Sequence, residues 1–297
     1  VHFHPDRVDV ARVTRNGARP RVEVCASFQS RGNELDALSE LRRQLHLERA
    51  RCTTLMSTGD YQLQLLEAPN VPPEEVKAAA RWKLKDYLDY PVDAATVDAI
   101  AVPTDPNATT RARSLYAVAS PNDKIAARMS LFAQARVPLA AIDIPEMAQR
   151  NLATLFEAEG RALALLTFTA QRGLLTFSSG GELYVARTID VGFDHLVAAQ
   201  GDLKAQLFER IVLEVQRSLD HFDRQFSFVP VSRLLIAPLP EEVELDTYLM
   251  QNLYVPVEVA RLESVFDLDA VPDLASPDAQ SRNFMVLGAA LRDEARR

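Results

Sequence analysis

Two cysteines are all that this chain of 297 residues contains. Cys25 and Cys52 fit neither a metal-ligand spacing nor a disulfide framework. Both sit in apolar, strand-like runs and read as reduced packing residues, which suits a reducing compartment. Lysine is scarce as well: Lys77, Lys83, Lys85, Lys124 and Lys204 are the five, three of them within one short segment. Asp and Glu number 41 against 33 Lys and Arg, a net charge of -8, which excludes a general affinity for nucleic acid or anionic lipid. No run of 18 apolar residues exists, so no segment is expected to span a bilayer as a helix, and no signal-peptide pattern follows Val1. Val1 is not an initiator methionine, so the start reads as trimmed, and a membrane anchor beyond Arg297 stays open.

Catalytic signatures are missing too. There is no G-x-x-x-x-G-K-[ST] and no G-x-S-x-G. The five histidines, His2, His4, His46, His195 and His221, are scattered. His2 and His4 share a strand face and could chelate a metal, but read better as strand-end residues. His221 stands beside Asp220 and Asp223 on a helix, where such close neighbours do not share a face, and reads as structural.

What is present is an ordinary globular composition, 47% hydrophobic and 25% charged, long enough for two domains with a sizeable core. His2-Phe3 and Val8–Val13 read as strands flanking a turn at His4-Pro5-Asp6, and Val22–Ala26 as a third strand. Asn33 is placed to cap a helix bearing Leu35, Leu38, Leu41 and Leu45. Strands at Cys52–Met56 and Tyr61–Leu66 complete a first α/β layer pair. Pro72 and Pro73 open a helix with Val76, Ala80, Leu84 and Leu88 on one stripe, and Pro91 stops it. Strands at 97–102 and 114–119, with a loop tip at Asp105-Pro106-Asn107, are followed by a helix carrying Ile125, Met129, Phe132 and Ala133 and a strand at 137–142. A helix from Pro145 ends at Gly160. A meander over 163–168, 173–177 and 183–189 follows, with a hairpin signal at Ser178-Ser179-Gly180-Gly181. Asp202 is placed to cap a long helix bearing Leu203, Leu207, Ile211, Val215, Leu219 and Phe222. A strand at 234–237, a helix at 241–253 and a strand at 255–259 complete the pattern. The two halves repeat a theme without a repeat in sequence.

Three segments carry a family resemblance: ARWKLKDYLDYPVD (Ala80–Asp93), AAIDIPEMAQRNL (Ala140–Leu152) and LEVQRSLDHF (Leu213–Phe222). Together they resemble the PilM family of actin-like type IV pilus assembly proteins, and within it the MshI-type members of mannose-sensitive (MSHA) pilus systems. The cytoplasmic domain of the type II secretion protein GspL is a more distant relative. The resemblance implies an α/β, actin-like (ribonuclease H-like) fold of two domains. The expected boundaries are 1–160 for the first, with a small α+β insert at about 71–142, and 161–297 for the second. It implies a protein on the cytoplasmic side of the inner membrane, peripheral to it. Its partner there would be the cytoplasmic tail of a PilN-like bitopic membrane protein, alongside other pilus assembly proteins and without nucleic acid; homo-oligomerisation stays open.

The family's nucleotide turns read as degenerate in this chain. Where the first should carry Asp-Ile-Gly and small residues, His4-Pro5-Asp6-Arg7 stands; proline removes an N–H donor and the glycine is gone. Asp6 reads as a turn residue or, less well, as a metal–water contact. The second turn is Thr169-Ala170-Gln171-Arg172-Gly173, with no carboxylate; Gly173 reads as a hairpin glycine and Arg172 as a solvated arginine or a phosphate contact. At the adenosine position, Ala237-Pro238-Leu239-Pro240 replaces a glycine triplet. The expectation is therefore no cofactor and no enzyme activity, a pseudo-ATPase, with ATP and Mg as the alternative.

The remaining functional surface is a partner groove at the insert boundary, assigned to Arg81, Trp82, Lys85 and Tyr90. Trp82, the one tryptophan, either contacts the partner or packs the insert against its neighbour. Lys77, Lys83 and Lys85 read as a solvated face rather than an acidic-tail site. The reading is a non-enzymatic adaptor. Its rivals are an ATP-binding, filament-capable protein and the cytoplasmic part of a GspL-like membrane protein, whose helix at Phe284–Arg297 would run on into a further segment.

Overall fold

The computed structural model describes residues 1–15, 17–30, 33–105, 113–239 and 243–292. Pro106, Asn107, Pro240 and Glu241, named in the expectations above, lie outside them, as do 293–297. The contacts divide the chain into two compact units, Val1–Asp9 with Ser27–Ile144, and Val10–Ala26 with Pro145–Arg297. Segment 145–160 and the hairpin between Val10 and Ala26 thus belong to the second unit, where the sequence pattern placed them in the first domain.

β1 (His2–Phe3) pairs antiparallel with β2 (Arg7–Thr14), which is followed by β3 (Arg21–Gln29) on the same sheet. β4 (Cys52–Leu55) pairs in parallel with β8 (Leu139–Asp143), and the Leu55 N–H donates to the Val1 carbonyl, which puts β4 beside β1. Helix α1 (Glu34–Leu45) begins as predicted: the Asn33 side chain accepts from the N–H groups of Leu35 and Asp36. It buries Ala37, Leu38 and Leu41.

Between β4 and β8 the chain leaves for a small sheet of its own, ordered β5-β7-β6 (Gln62–Glu67, Ser114–Pro121, Ala95–Ala101). β5 had been expected in the first layer pair with β4. It pairs instead with β7, Leu66 opposite Leu115, so the insert sheet begins at Gln62. The strand at 139–143 correspondingly leaves the insert for β4. Helix α2 (Val76–Leu84) covers one face of the insert sheet. Ala80 and Leu84 are buried against Leu66, Leu115, Ala117 and Ala119, with Val76 and Leu88 packed at the edge. The predicted stripe is right but the helix is shorter than the span to Pro91. A 3-10 turn (Pro73–Glu75) precedes it, and after Leu84 the bonding tightens to i→i−3, with Lys85 N–H on the Trp82 carbonyl. Helix α3 (Asn122–Gln134) also differs: Met129 is exposed, and the inward residues are Ile125, Arg128, Phe132 and Ala135.

The second unit is built on a five-stranded sheet ordered β11-β10-β9-β12-β13 (Glu182–Ile189, Gly173–Ser179, Ala162–Phe168, Val231–Ile236, Val257–Val259). Its first three strands are the predicted meander, and β12 and β13 add in parallel. The β10–β11 turn is Gly180-Gly181, both at positive φ, the backbone that a two-residue hairpin demands. Neighbours on β10 face opposite sides, and all seven of its residues are buried, so both faces of this strand are covered. Thr176 faces α4 (Pro145–Ala153), where Gln149 donates to its hydroxyl. Phe177 stacks at 4.9 Å on Phe222 of α6 (Gly201–Gln225). Asp202 had been expected to cap α6; the N-cap is Gln200, Asp202 sits in the first turn and Leu203 is exposed. Helix α5 (Phe193–Ala198) was not predicted, and α7 (Leu245–Asn252) and α8 (Leu262–Val265) follow.

Helix α9 (Pro277–Ala290) buries Phe284, Val286, Leu287 and Ala289 in the second unit's core and lies directly on α4. A Cβ on Gly288 would stand 2.1 Å from the Ala148 carbonyl oxygen, so only glycine permits that approach. The described part of the predicted terminal helix is therefore a core element ending at Ala290. No helix among the described residues is long and apolar enough to cross a membrane.

Candidate functional site

The turn between β1 and β2 is tied to its own chain. His4 N–H donates to the Arg7 carbonyl at 2.8 Å, Pro5 has no N–H, and the Asp6 carbonyl accepts from Ser30 N–H. Behind the turn lies a carboxylate that sequence reading missed. Asp9 is fully buried, with His4 Nε2 at 2.7 Å, the Ser27 hydroxyl at 2.6 Å and Arg7 Nε at 3.1 Å. Burial pushes its carboxyl pKa up, but hydrogen bonds from His4 and Ser27 and the charges of His4 and Arg7 outweigh that and hold it below the ordinary value. The His2 and His4 rings stand 4.2 Å apart. Burial, then the neighbouring His4, pulls the His2 pKa down to about 3, so His2 is neutral at pH 7. Asp6 is exposed, with Arg7 Nη1 3.8 Å from its carboxylate.

In the second unit, the Thr169–Arg172 turn closes on itself. Thr169 N–H donates to the Arg172 carbonyl and Arg172 N–H to the Thr169 hydroxyl. The Thr169 and Ala170 carbonyls accept from the Phe193 and Asp194 N–H groups at the start of α5. Gly192 makes this docking feasible: a Cβ there would stand 2.1 Å from the Gln171 carbonyl carbon. Gly173 opens β10 opposite Phe168, as a hairpin glycine does. Arg172 is largely exposed, 3.7 Å from Asp190. After β12, Ala237 N–H donates to the Leu166 carbonyl, and Ala237 and Pro238 are buried. Among the described residues, no cluster of three or more His, Cys, Asp or Glu could hold a metal.

The four residues assigned to a partner groove do not converge. Trp82 is 71% exposed on α2, which removes the alternative that it packs the insert in place. Lys85, three residues on, is exposed on the same helix face. Arg81 turns away, its guanidinium donating to the Ala95 carbonyl at 2.5 Å. Lys77 pairs with Asp98 and Lys83 donates to the Glu67 carbonyl, so these two lie on the insert's surface. Tyr90 lines a separate pocket of about 640 Å³, with Gly59, Asp60, Tyr61, Asp89 and Asp123 among its walls. Its Oη is buried without a hydrogen-bond partner. The pocket was not foreseen, because its walls come from three stretches distant in sequence.

No protein-family profile matches the chain, and no curated protein matches it in sequence. Solved structures do. The architecture is that of the actin-like class of α/β proteins. Within that class the chain is similar to a chain of the "PilM-PilN type IV pilus biogenesis complex", with a TM-score of 0.76 and 16% identity over 98% of this chain and 96% of that one. The likeness is one of fold, and it runs along nearly the whole chain. The cytoplasmic domain of EpsL, an inner membrane component of the type II secretion system of Vibrio cholerae, matches at TM-score 0.43 and 13% identity, over 85% of this chain and 86% of that one. A Bacteroides thetaiotaomicron protein with an actin-like ATPase fold matches at TM-score 0.48 and 8% identity, over 89% and 94%.

Proposed function

We propose that this chain is a PilM-type adaptor of a type IV pilus assembly complex, of the MSHA kind, working without nucleotide. It holds the cytoplasmic tail of a PilN-type bitopic inner-membrane protein and couples it to other assembly proteins on the cytoplasmic side. The observation that carries this reading is the fold match over nearly the full length of both chains with a protein solved as a PilM-PilN complex. The 71% exposed Trp82 on α2 supports it, because a large exposed aromatic is the residue type that anchors interfaces.

The residues at the expected ATP positions do not fit that group. Phosphate turns work by aiming free N–H dipoles at the anion. Here Pro5 offers none, and His4 and Arg172 N–H groups are spent inside their own turns. Buried Pro238 fills the position after β12 where the family has glycine.

The test is calorimetric titration of a synthetic peptide of the PilN-type tail from the same organism into the purified chain. A saturable heat supports the adaptor; its absence with and without Mg-ATP removes it.

A further inference from the structure

The insert sheet has two open edges. In the order β5-β7-β6, β7 lies in the middle, and among the described residues neither β5 nor β6 pairs with a further strand. An open edge presents unpaired N–H and C=O groups, a template on which another chain can add a strand. The register says which groups these are. Val102 N–H donates to the Ser114 carbonyl, so Thr96, Asp98 and Ile100 bond to β7, while Ala95, Val97 and Ala99 point their backbone groups outward. On the other side, Ala68 N–H donates to the Arg113 carbonyl, so Leu63, Leu65 and Glu67 are the outward residues of β5.

Helix α2 covers this sheet, and its basic side chains reach both edges. Arg81 donates to the outward Ala95 carbonyl at 2.5 Å. Ala95 N–H is spent on the Val92 carbonyl. Further along the same edge, Ala99 N–H donates to the Asp98 carboxylate at 2.8 Å, and Lys77 Nζ holds that carboxylate at 2.7 Å. At the opposite edge, Lys83 donates to the outward Glu67 carbonyl at 2.9 Å. The basic charge concentrated in this segment thus meets the backbone that a three-stranded sheet leaves open.

A second copy of the chain is the strand these contacts exclude, because two identical edges can pair antiparallel about a two-fold axis. Two β6 strands centred on Val97 would set Ala95 of one copy opposite Ala99 of the other. The bond needed there runs from the Ala99 N–H to the Ala95 carbonyl, and both groups are already taken, by Asp98 and Arg81. Two β5 strands centred on Leu65 would set Leu63 opposite Glu67, whose carbonyl holds Lys83. Either pairing has to strip these bonds first. We infer that Lys77, Arg81 and Lys83 guard the two edges of the insert sheet against strand addition by a second copy of this chain. The guards act on the chain's own assembly and do not depend on capture of a membrane protein's tail.

The experiment uses the full chain, its Arg81→Ala/Asp98→Ala double variant, which frees the β6 edge, and Lys83→Ala, which frees the β5 edge and alters only an exposed side chain. Each is checked for folding by circular dichroism. Sedimentation over a range of protein concentrations measures self-association, and hydrogen exchange follows single amides. Each variant is expected to self-associate roughly tenfold or more tightly than the wild type, since each freed group can now enter an intermolecular bond. Protection at the outward amides, Val97 in the double variant and Leu65 in Lys83→Ala, should rise with concentration. Val97→Pro in the double variant should abolish its association, because proline offers no N–H to an added strand. Folded variants that associate no more than the wild type overturn the guard role. So does association that leaves the outward amides unprotected or survives Val97→Pro, since it then uses another surface. If the double variant does not fold, Lys83→Ala decides by the same two readouts.

Discussion

His4 Nε2 lies 2.7 Å from Asp9 Oδ2, a contact folded behind the first turn of the chain, with the carboxylate fully buried. Replacing Asp9 with Asn removes the counter-charge of Arg7 and the carboxylate beside His4 from a buried setting. It should cost on the order of 3 kcal/mol, near the low end for broken buried pairs because both partners keep some solvent. Urea unfolding measures it; a loss below about 0.5 kcal/mol would show that the pair is incidental.

The same cluster sets an acid limit. The Asp9 pKa is depressed in the fold, so its contribution is present above the unfolded carboxylate value and lost as pH falls through the folded one. His2 has its pKa lowered from 6.5 to about 3. The folded chain holds it neutral while the unfolded chain protonates it, so stability is lost progressively as pH falls from about 6.5 towards 3. The melting temperature should therefore drop steadily between pH 7 and 4. His2→Phe should flatten the upper part of that fall, and an unchanged profile would contradict the assignment to His2.

Gly192 supports the second turn by leaving room for it. Gly192→Ala would place a Cβ 2.1 Å from the Gln171 carbonyl carbon, a backbone atom that cannot rotate away. The expected destabilisation is about 3 kcal/mol. The Thr169 and Ala170 carbonyls should then lose amide protection at their donors, Phe193 and Asp194. Hydrogen exchange at those two amides checks this; protection equal to wild type would mean that the turn does not depend on the glycine.

Trp82→Ala should leave stability within about 0.5 kcal/mol, because the side chain is 71% exposed. It should weaken tail binding by about 2 kcal/mol, roughly thirtyfold, if the indole is an interface anchor. A folded variant with unchanged affinity would remove Trp82 from the binding surface.

Much of this fold is legible in the sequence, for local reasons. Asn33 announces α1, Gly180-Gly181 the hairpin, and alternating residues the meander. Non-local choices are not. β5 carries no mark that it will leave β4 for β7, since strand alternation specifies a face and not a partner. Leu203 fits the apolar spacing of α6 yet begins the helix outside the core. Asp9, between Val8 and Val10, reads as a solvent-facing strand position; it is buried because His4 and Arg7 reach it from the same hairpin. LEVQRSLDHF contributes Leu219 and Phe222 to the core, and Gln149 from AAIDIPEMAQRNL ties α4 to the Leu165 and Leu174 carbonyls. Those two segments mark the fold rather than a site. The acidic pocket escaped because Asp60, Asp89 and Asp123 meet only after the insert sheet has formed.

The proposed adaptor captures a membrane protein's tail without nucleotide. The decisive measurement is titration of the PilN-type tail peptide into the chain twice, without nucleotide and with saturating Mg-ATP. The same saturable affinity is expected in both. Binding that appears only with Mg-ATP, or a heat from Mg-ATP alone, would contradict it and make the chain a nucleotide-operated member of the fold.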